Sequence, residues 1–418
     1  MLLYYCKVII IKTKKIRLHP NNKQATKLRK TMNKCIETQN IILDMCKYYL
    51  DKHIKLPSCS EIRKEFTKIK KEKDEEVLNK RKSLTRKKQR ENHLDILFYD
   101  VSNDALKQMI KDTYNAFVRF LKKQSKYPNR KSFNDKHKSI YVDPYKIKFT
   151  SSKVKLEKIC NSNKSNRQVL NWINLAEKNR IPTFVKYYNP RVTYEGYYFY
   201  LTVGIDDKNY PSKEKVLKEQ SSPIGLDLNI SNIVTSNNDV YVNINSSRKI
   251  KKFSRRLKRY QRRISKKIEH SKKYKIKLNS CKNFIKQKKK IYNLYLKLKN
   301  IRESSFYQIS LDILNKNPKE IIVEDLDVKS MYKNKRIASL LQITGFRKFI
   351  NILENKAKEY NISIKKADRY YPSSKMCSRC LHIKDKLSLS TRTYICHNCG
   401  LVINRDLNAS INLLNFKF

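Results

Sequence analysis

The sequence predicts a mixed α/β (α+β) protein of more than one domain, on three observations. Residues 221–418 alternate apolar, strand-like runs with helical stretches, residues 141–205 carry alternating Tyr-rich strands behind a mainly helical segment, and four cysteines near the C-terminus stand at metal-ligand spacing. A chain of 418 residues is long enough for two or three domains with sizeable cores.

The elements follow in order. Residues 1–20 open as a short strand, MLLYYCKVIII, broken by Lys7 and lacking the small-residue cleavage site of a signal peptide. From Asn21, NNKQATKLRK begins a helix with a capping-type Asn. Residues 66–92 are dense in both charges and read as a solvated helix or a mobile linker, and VSNDALKQMIKDTYNAFVRFLKK reads as an amphipathic helix behind a Ser/Asn cap. RVTYEGYYFYLTVGI alternates as two strands about a Glu195-Gly196 turn, with basic and aromatic residues interleaved. That interleaving suits base stacking and ordinary sheet packing equally. Residues 211–220 form a linker.

IGLDLNISNIVTSNNDVYVN then reads as an apolar strand, a turn and a second strand. Residues 246–305 form the most basic block, with 24 Lys/Arg against Glu269 and Glu303. Phe253, Leu257, Tyr260 and Ile264 mark an apolar stripe, so a pair of long helices with one seam inward and a cationic face outward is expected. PKEIIVEDLDV is a buried-type strand ending in acids, residues 340–360 a helix, and residues 361–372 another strand.

The chain carries 95 Lys+Arg against 37 Asp+Glu, a formal charge of +58. AT-rich coding, also visible in the abundance of Asn, Ile and Tyr, accounts for part of the Lys content but not for the clustering. A polyanionic partner, nucleic acid, is expected. The composition excludes other chemistries. Five scattered glycines leave no GxGxxG, Walker A or GxSxG motif, and no two of the seven histidines form a His-x-His site. No apolar run reaches the about 18 residues of a membrane span. The remaining six cysteines, Cys6, Cys35, Cys46, Cys59, Cys160 and Cys281, lack regular spacing and read as free thiols of an intracellular protein.

Cys377-x2-Cys380, fifteen residues and Cys396-x2-Cys399 have the spacing of a four-thiolate zinc ribbon. Gly400 relieves the second turn, and His382 and His397 are surplus to four ligands. Such a closed shell makes one structural Zn²⁺. Three carboxylates have surroundings unsuited to a solvated charge: Asp227 inside an apolar strand, Glu324 directly after Ile321-Ile322-Val323, and Asp406 at the head of NRDLNASINLL. Each alone reads as a cap or turn residue. Gathered by the fold, they could hold two Mg²⁺ (or Mn²⁺) ions about 3.5–4 Å apart for phosphodiester hydrolysis. Strand alternation turns Asp325 away from Glu324, so the two cannot serve one site.

GLDLNISNIVT, IIVEDLDVKSM, DRYYPSSKMCSRC, STRTYICHNCG and NRDLNASINLL resemble the successive signatures of the OrfB/TnpB family, transposon-associated RNA-guided nucleases related to Fanzor proteins and type V CRISPR effectors. The resemblance covers residues 221–418 and is weaker in the N-terminal half. It implies an N-terminal β-barrel (1–20 plus 141–210) interrupted by a helical lobe (21–140). An RNase H-like, RuvC-type nuclease domain follows (221–371 and 403–418) with an inserted zinc ribbon (372–402). It implies the triad Asp227, Glu324 and Asp406, a guide RNA transcribed from the element end, and a target DNA. Arg392 and Arg405 match basic positions of the family pattern and would meet scissile-strand phosphate. Arg255, Arg256, Arg259, Arg262 and Arg263 of the basic block would contact nucleic acid. Where the family usually has Gly two residues after the first Asp, this chain has Asn229.

The alternatives are a transposase acting on element ends and an accessory DNA-binding protein without guided cleavage. The first lacks the His-x-His site, and intact acids at all three positions count against the second. The compartment follows the host: cytoplasm or nucleoid in a bacterium, nucleus or viral factory in a eukaryote or virus. The target-adjacent motif, RNA scaffold, cut positions and oligomeric state are not encoded in any motif.

Overall fold

The computed structural model describes residues 11–85, 96–135, 137–159, 171–206, 220–275, 278, 281–327, 331, 333, 338, 341, 344–388 and 391–416. The opening decapeptide, residues 86–92 and nearly all of the expected linker 211–220 lie outside them. The chain divides into two compact units, Met1–Glu214 and Lys215–Phe418.

In the first unit β1 (Ile11–His19) precedes three helices, α1 (Asn22–Asp51), α2 (Cys59–Lys82) and α3 (Asn103–Leu121). The strands β2 (His137–Tyr141), β3 (Lys148–Phe149), β4 (Lys153–Lys155), β5 (Trp172–Leu175), β6 (Tyr187–Glu195) and β7 (Tyr198–Asp206) follow. They form one sheet, ordered β2-β6-β7-β1-β5-β4-β3, with every pair antiparallel. No ladder among the described residues joins β2 to β3. Helix α1 starts in a full capping box, with the Asn21 side chain accepting from the Gln24 N–H and the Gln24 side chain accepting from the Asn21 N–H. α2 is a solvated helix that buries only Ile62 and Phe66. α3 starts after Ser102 without a side-chain cap, and the Ser102 hydroxyl donates to Glu157 at 2.7 Å. Leu28, Met32, Ile42, Phe66, Phe98 and Phe117 of the helical segment share one core with Leu201 and Val203 of the sheet.

The second unit is built on the sheet β10-β9-β8-β11-β12. Its strands are β8 (Ile224–Leu228), β9 (Asn232–Thr235), β10 (Val240–Val242), β11 (Glu320–Glu324) and β12 (Ser363–Ala367). The segment after residue 223 thus holds three strands rather than the expected two. A tight turn with the Asn229 N–H on the Asn232 carbonyl splits the first run into a hairpin. β8, β11 and β12 are parallel, and β9 and β10 are antiparallel additions. The basic block forms α4 (Arg248–Lys273) and α5 (Lys282–Asn315), which meet along Ile250, Leu257, Leu294 and Leu298. α5 runs ten residues beyond the expected block, and its distal half enters the sheet core through Phe306, Ile313 and Leu314. α6 (Phe346–Glu359) covers the same sheet face through Phe349, Ile352 and Leu353. α7 (Arg405–Leu414) lies on the opposite face, with Leu413 against Ile322 and Ala367. The hairpin β13 (Thr393–Ile395) and β14 (Val402–Asn404) leads into α7. No helix among the described residues is long and apolar enough to cross a membrane. Cys35, Cys46, Cys59 and Cys281 form no disulfide, while Cys6 and Cys160 lie outside the described residues.

Candidate active site and metal centre

The parallel ladder between β8 and β11 pairs Ile224 with Ile321, Gly225 with Ile322 and Leu226 with Val323. Asp227 and Glu324 are the next residues along each strand, so neighbouring strands deliver them side by side at their carboxyl ends. Both sit on the face that receives α7, since Gly225 and Ile322, two residues earlier, meet that helix. A Cβ at position 225 would lie 2.0 Å from the Ser410 carbonyl oxygen, so only glycine lets the helix backbone rest on β8. This approach carries Asp406, in the first turn of α7, to the other two acids. Asp406 is not the helix cap. Asn404 takes that part, accepting from the N–H groups of Asp406 at 2.9 Å and Leu407 at 3.2 Å, and the Asp406 carboxylate is free for other work.

Asp227 is 6% exposed and Asp406 8%. Burial pushes the Asp227 carboxyl up to about 7, and the charges of Asp406 and Glu324 add to the rise. A hydrogen bond from Asn229 Nδ2 to Asp227 Oδ2 at 2.6 Å and the nearby Arg405 cation oppose it. Burial also raises Glu324. Carboxylates of this kind are oxygen donors suited to hard divalent cations, although among the described residues only the four cysteines are gathered closely enough to share an ion as they stand. Asp325 lies just past the end of β11 and pairs with Arg369 at 3.1 Å.

The four cysteines form the group whose ligand atoms all lie within 4.8 Å of one another, and neither His382 nor His397 belongs to it. Cys377 Sγ and Cys399 Sγ are 3.6 Å apart, and Cys380 Sγ and Cys396 Sγ 3.5 Å. A tetrahedral ion with Zn–S bonds of about 2.3 Å spaces its sulfurs about 3.7 Å apart, so the site fits zinc. Two similar knuckles shape it. The Leu381 N–H bonds the Cys377 carbonyl and the Gly400 N–H the Cys396 carbonyl, each at 3.0 Å. Both residues have left-handed backbone, φ +61° at Leu381 and +72° at Gly400. Two asparagines fasten this platform to α7. Asn408 Nδ2 donates to the Met376 carbonyl at 2.7 Å while its oxygen accepts from the Ser378 N–H at 2.9 Å. One turn later Asn412 Nδ2 reaches the carbonyls of Ser373 and Met376.

The two halves of this site fall within two family matches. Residues 207–335, with Asp227, Glu324 and the basic helices, match the OrfB_IS605 family, described as "Probable transposase". Residues 346–413, with the cysteines and Asp406, match the "Cas12f1-like, TNB domain" family. Over these two stretches the chain is similar to proteins of the OrfB/TnpB type. It is similar to the "Putative RNA-guided DNA endonuclease" of Streptomyces pristinaespiralis, 25% identical over 315 residues that cover 75% of this chain and 71% of the relative. It is also similar to the "Putative RNA-guided DNA endonuclease InsQ" of Escherichia coli strain K12, 24% identical over 332 residues, 75% and 74% of the two chains. In fold it is similar to the protein of the "Cryo-EM structure of the Cas12f1-sgRNA-target DNA complex", with TM-score 0.50 and 16% identity over 98% of this chain and 100% of that one.

Asn229, which stands where the OrfB/TnpB pattern usually has Gly, donates to Asp227 directly. Arg255, Arg256, Arg259, Arg262 and Arg263 are all exposed on α4. Arg256 donates to the Tyr260 hydroxyl at 3.1 Å, and Arg263 lines a notch between α4 and α5 with Lys267, Lys286 and Lys290. Arg392 is exposed in the stretch before β13, while Arg405 donates to the Ser388 carbonyl at 3.2 Å and so ties the ribbon loop to α7. Sequence reading missed Gly225, Asn408 and Asn412. The asparagines stand four apart in NRDLNASINLL, where Leu407, Ile411 and Leu414 signal a helix but not the side it buries. The buried face is Asp406, Asn408, Ala409, Ser410, Asn412 and Leu413.

Proposed function

We propose that the chain is a TnpB-like, transposon-encoded RNA-guided DNA endonuclease that cuts by RuvC-like phosphodiester hydrolysis. The observation that carries this reading is the convergence of Asp227, Glu324 and Asp406 at the carboxyl ends of β8 and β11. Asp227, Glu324 and Asp406 would hold two Mg²⁺ ions, which when bound activate the attacking water and stabilise the departing 3′-oxygen. The chain's own part is to hold three acids within one buried face and to fix α7 by Gly225 and the asparagines. Cys377, Cys380, Cys396 and Cys399 would hold one structural Zn²⁺ that keeps the platform beside Asp406 rigid. The cationic faces of α4 and α5 and the N-terminal unit, a barrel-like wedge with its helical lobe, would grip guide RNA and heteroduplex by their backbones while base pairing reads sequence. The guide would come from the element end. The intact triad and the family's endonuclease relatives favour this over a transposase or an accessory DNA-binding protein.

The test is to purify the protein co-expressed with the DNA flanking its gene, sequence the RNA that survives a high-salt wash, and assay the matching target. Mg²⁺-dependent cutting is expected, reduced at least about a thousandfold in Asp227→Ala and Glu324→Ala. Cutting at the wild-type rate by either variant would remove the triad assignment.

A further inference from the structure

On the α6 side of the sheet, at the same carboxyl ends of β8 and β11, lies a cavity of about 400 Å³. That is within the about 300–1,000 Å³ typical of small-molecule pockets. Leu228 and Val323 line it, each one residue from a candidate catalytic acid, and Glu324 itself borders it. The first turns of α6 contribute Phe346, Arg347, Ile350 and Asn351.

The charges in the cavity are unevenly satisfied. Arg369 is committed to Asp325 at 3.1 Å and Asp327 at 3.4 Å, and Lys366 to Glu354 at 3.1 Å. Arg347 and Asn351 have no hydrogen-bond or ion-pair partner among the described residues. They stand one helical turn apart, on one side of α6. The cavity therefore offers a guanidinium and an amide that no described residue engages, with an apolar wall, all beside Glu324. An anion bonded to a flat, partly apolar group is what such a lining takes, and a nucleotide is that ligand.

We propose that this cavity is a subsite for the nucleotide next to the bond that is cut: Arg347 takes its phosphate, Asn351 the edge of its base, and Phe346, Ile350 and Leu228 its apolar surface. This rests on the nuclease reading above and extends it from the reacting phosphate to its neighbour. A base enters such a pocket only when it has left the stack, so the subsite selects a displaced single strand over a duplex.

The test uses the full protein with its bound RNA and end-labelled single-stranded DNA in which one nucleotide at a time around the cut lacks its base. For the wild type, an abasic position beside the cut lowers kcat/KM about tenfold, and Arg347→Ala raises KM about tenfold with kcat nearly kept. Asn351→Ala removes the sensitivity to that abasic position. Both residues are exposed, so equal melting temperatures are expected, and Arg347→Lys, which keeps the charge, restores much of the KM. Wild-type cutting with a flat abasic profile and unchanged KM in both variants overturns the subsite and leaves the nuclease reading standing. A wild type that binds RNA and DNA but never cuts overturns that reading and the subsite with it.

Discussion

Gly225 and Asp227 show how much one side chain, or its absence, decides here. A methyl at position 225 collides with the backbone of α7, not with a flexible side-chain tip, so Gly225→Ala must lift the helix that bears Asp406. Overpacking of this kind costs about 1–3 kcal/mol, and the displacement should lower cleavage about a hundredfold or more at temperatures where the variant remains folded. A thermal melt run beside a cleavage assay separates the two effects. Asp227 gives a pH prediction. Its pKa is about 7 in the folded chain against an ordinary 3.8. The metal-free fold therefore holds a proton that the unfolded chain releases. This residue's stabilising contribution is full below about pH 4 and is lost as pH rises through about 7. A divalent ion competes with that proton. The gain in melting temperature on adding Mg²⁺ should grow between about pH 6 and pH 8 in the wild type and be flat in Asp227→Asn.

α7 and the cysteine ribbon behave as one element. The ribbon offers backbone carbonyls, and Asn408 and Asn412 meet them in a buried setting where an unpaired group costs about 1–3 kcal/mol. Replacing both with Ala should leave zinc bound, by metal analysis, while lowering the cleavage rate and loosening the ribbon in hydrogen exchange. Unchanged cleavage and unchanged exchange would mean that the ribbon does not steady Asp406. The two knuckles also differ in quality. Both residues adopt a left-handed backbone, which the Leu381 side chain resists and Gly400, having none, takes without strain. Leu381→Gly should therefore raise stability against chelator-induced unfolding by about 1 kcal/mol or less, because relief of strain exceeds the added freedom of the unfolded chain. A fall in stability would show that the Leu381 side chain contributes more than its strained backbone costs.

A net charge of +58 makes polyanion binding a property of the whole molecule. Affinity should fall steeply with salt, each neutralised phosphate adding about −0.9 to the log–log slope on duplex. Exchanging the five exposed arginines of α4 for Gln should flatten that slope by up to about 4.5, in a filter-binding series with salt. A slope left unchanged would move the grip elsewhere. Sequence reading captured this level well. The cysteine spacing, the α4–α5 pair and the oddly placed acids were all legible, because each is written in neighbouring residues. The inner face of α7 was not, because it is polar, and apolar periodicity points to the wrong side when a helix buries asparagines against carbonyls. The division of the segment after residue 223 into three strands also escaped, because the Asn229–Asn232 turn contains neither Gly nor Pro.

By itself the sequence determined which local elements form, which four thiolates come together, that the charge calls for a polyanionic partner, and which acids are out of place. Helix periodicity, cap chemistry and ligand spacing act over a few residues, and a linear text displays them. Only the tertiary structure decided that acids 97 and 82 residues apart in the chain meet on one face. Parallel pairing of β8 with β11 sets two of them side by side, and the missing side chain of Gly225 admits the third. Close approach and strand register are properties of partners distant in sequence, and no local pattern records them.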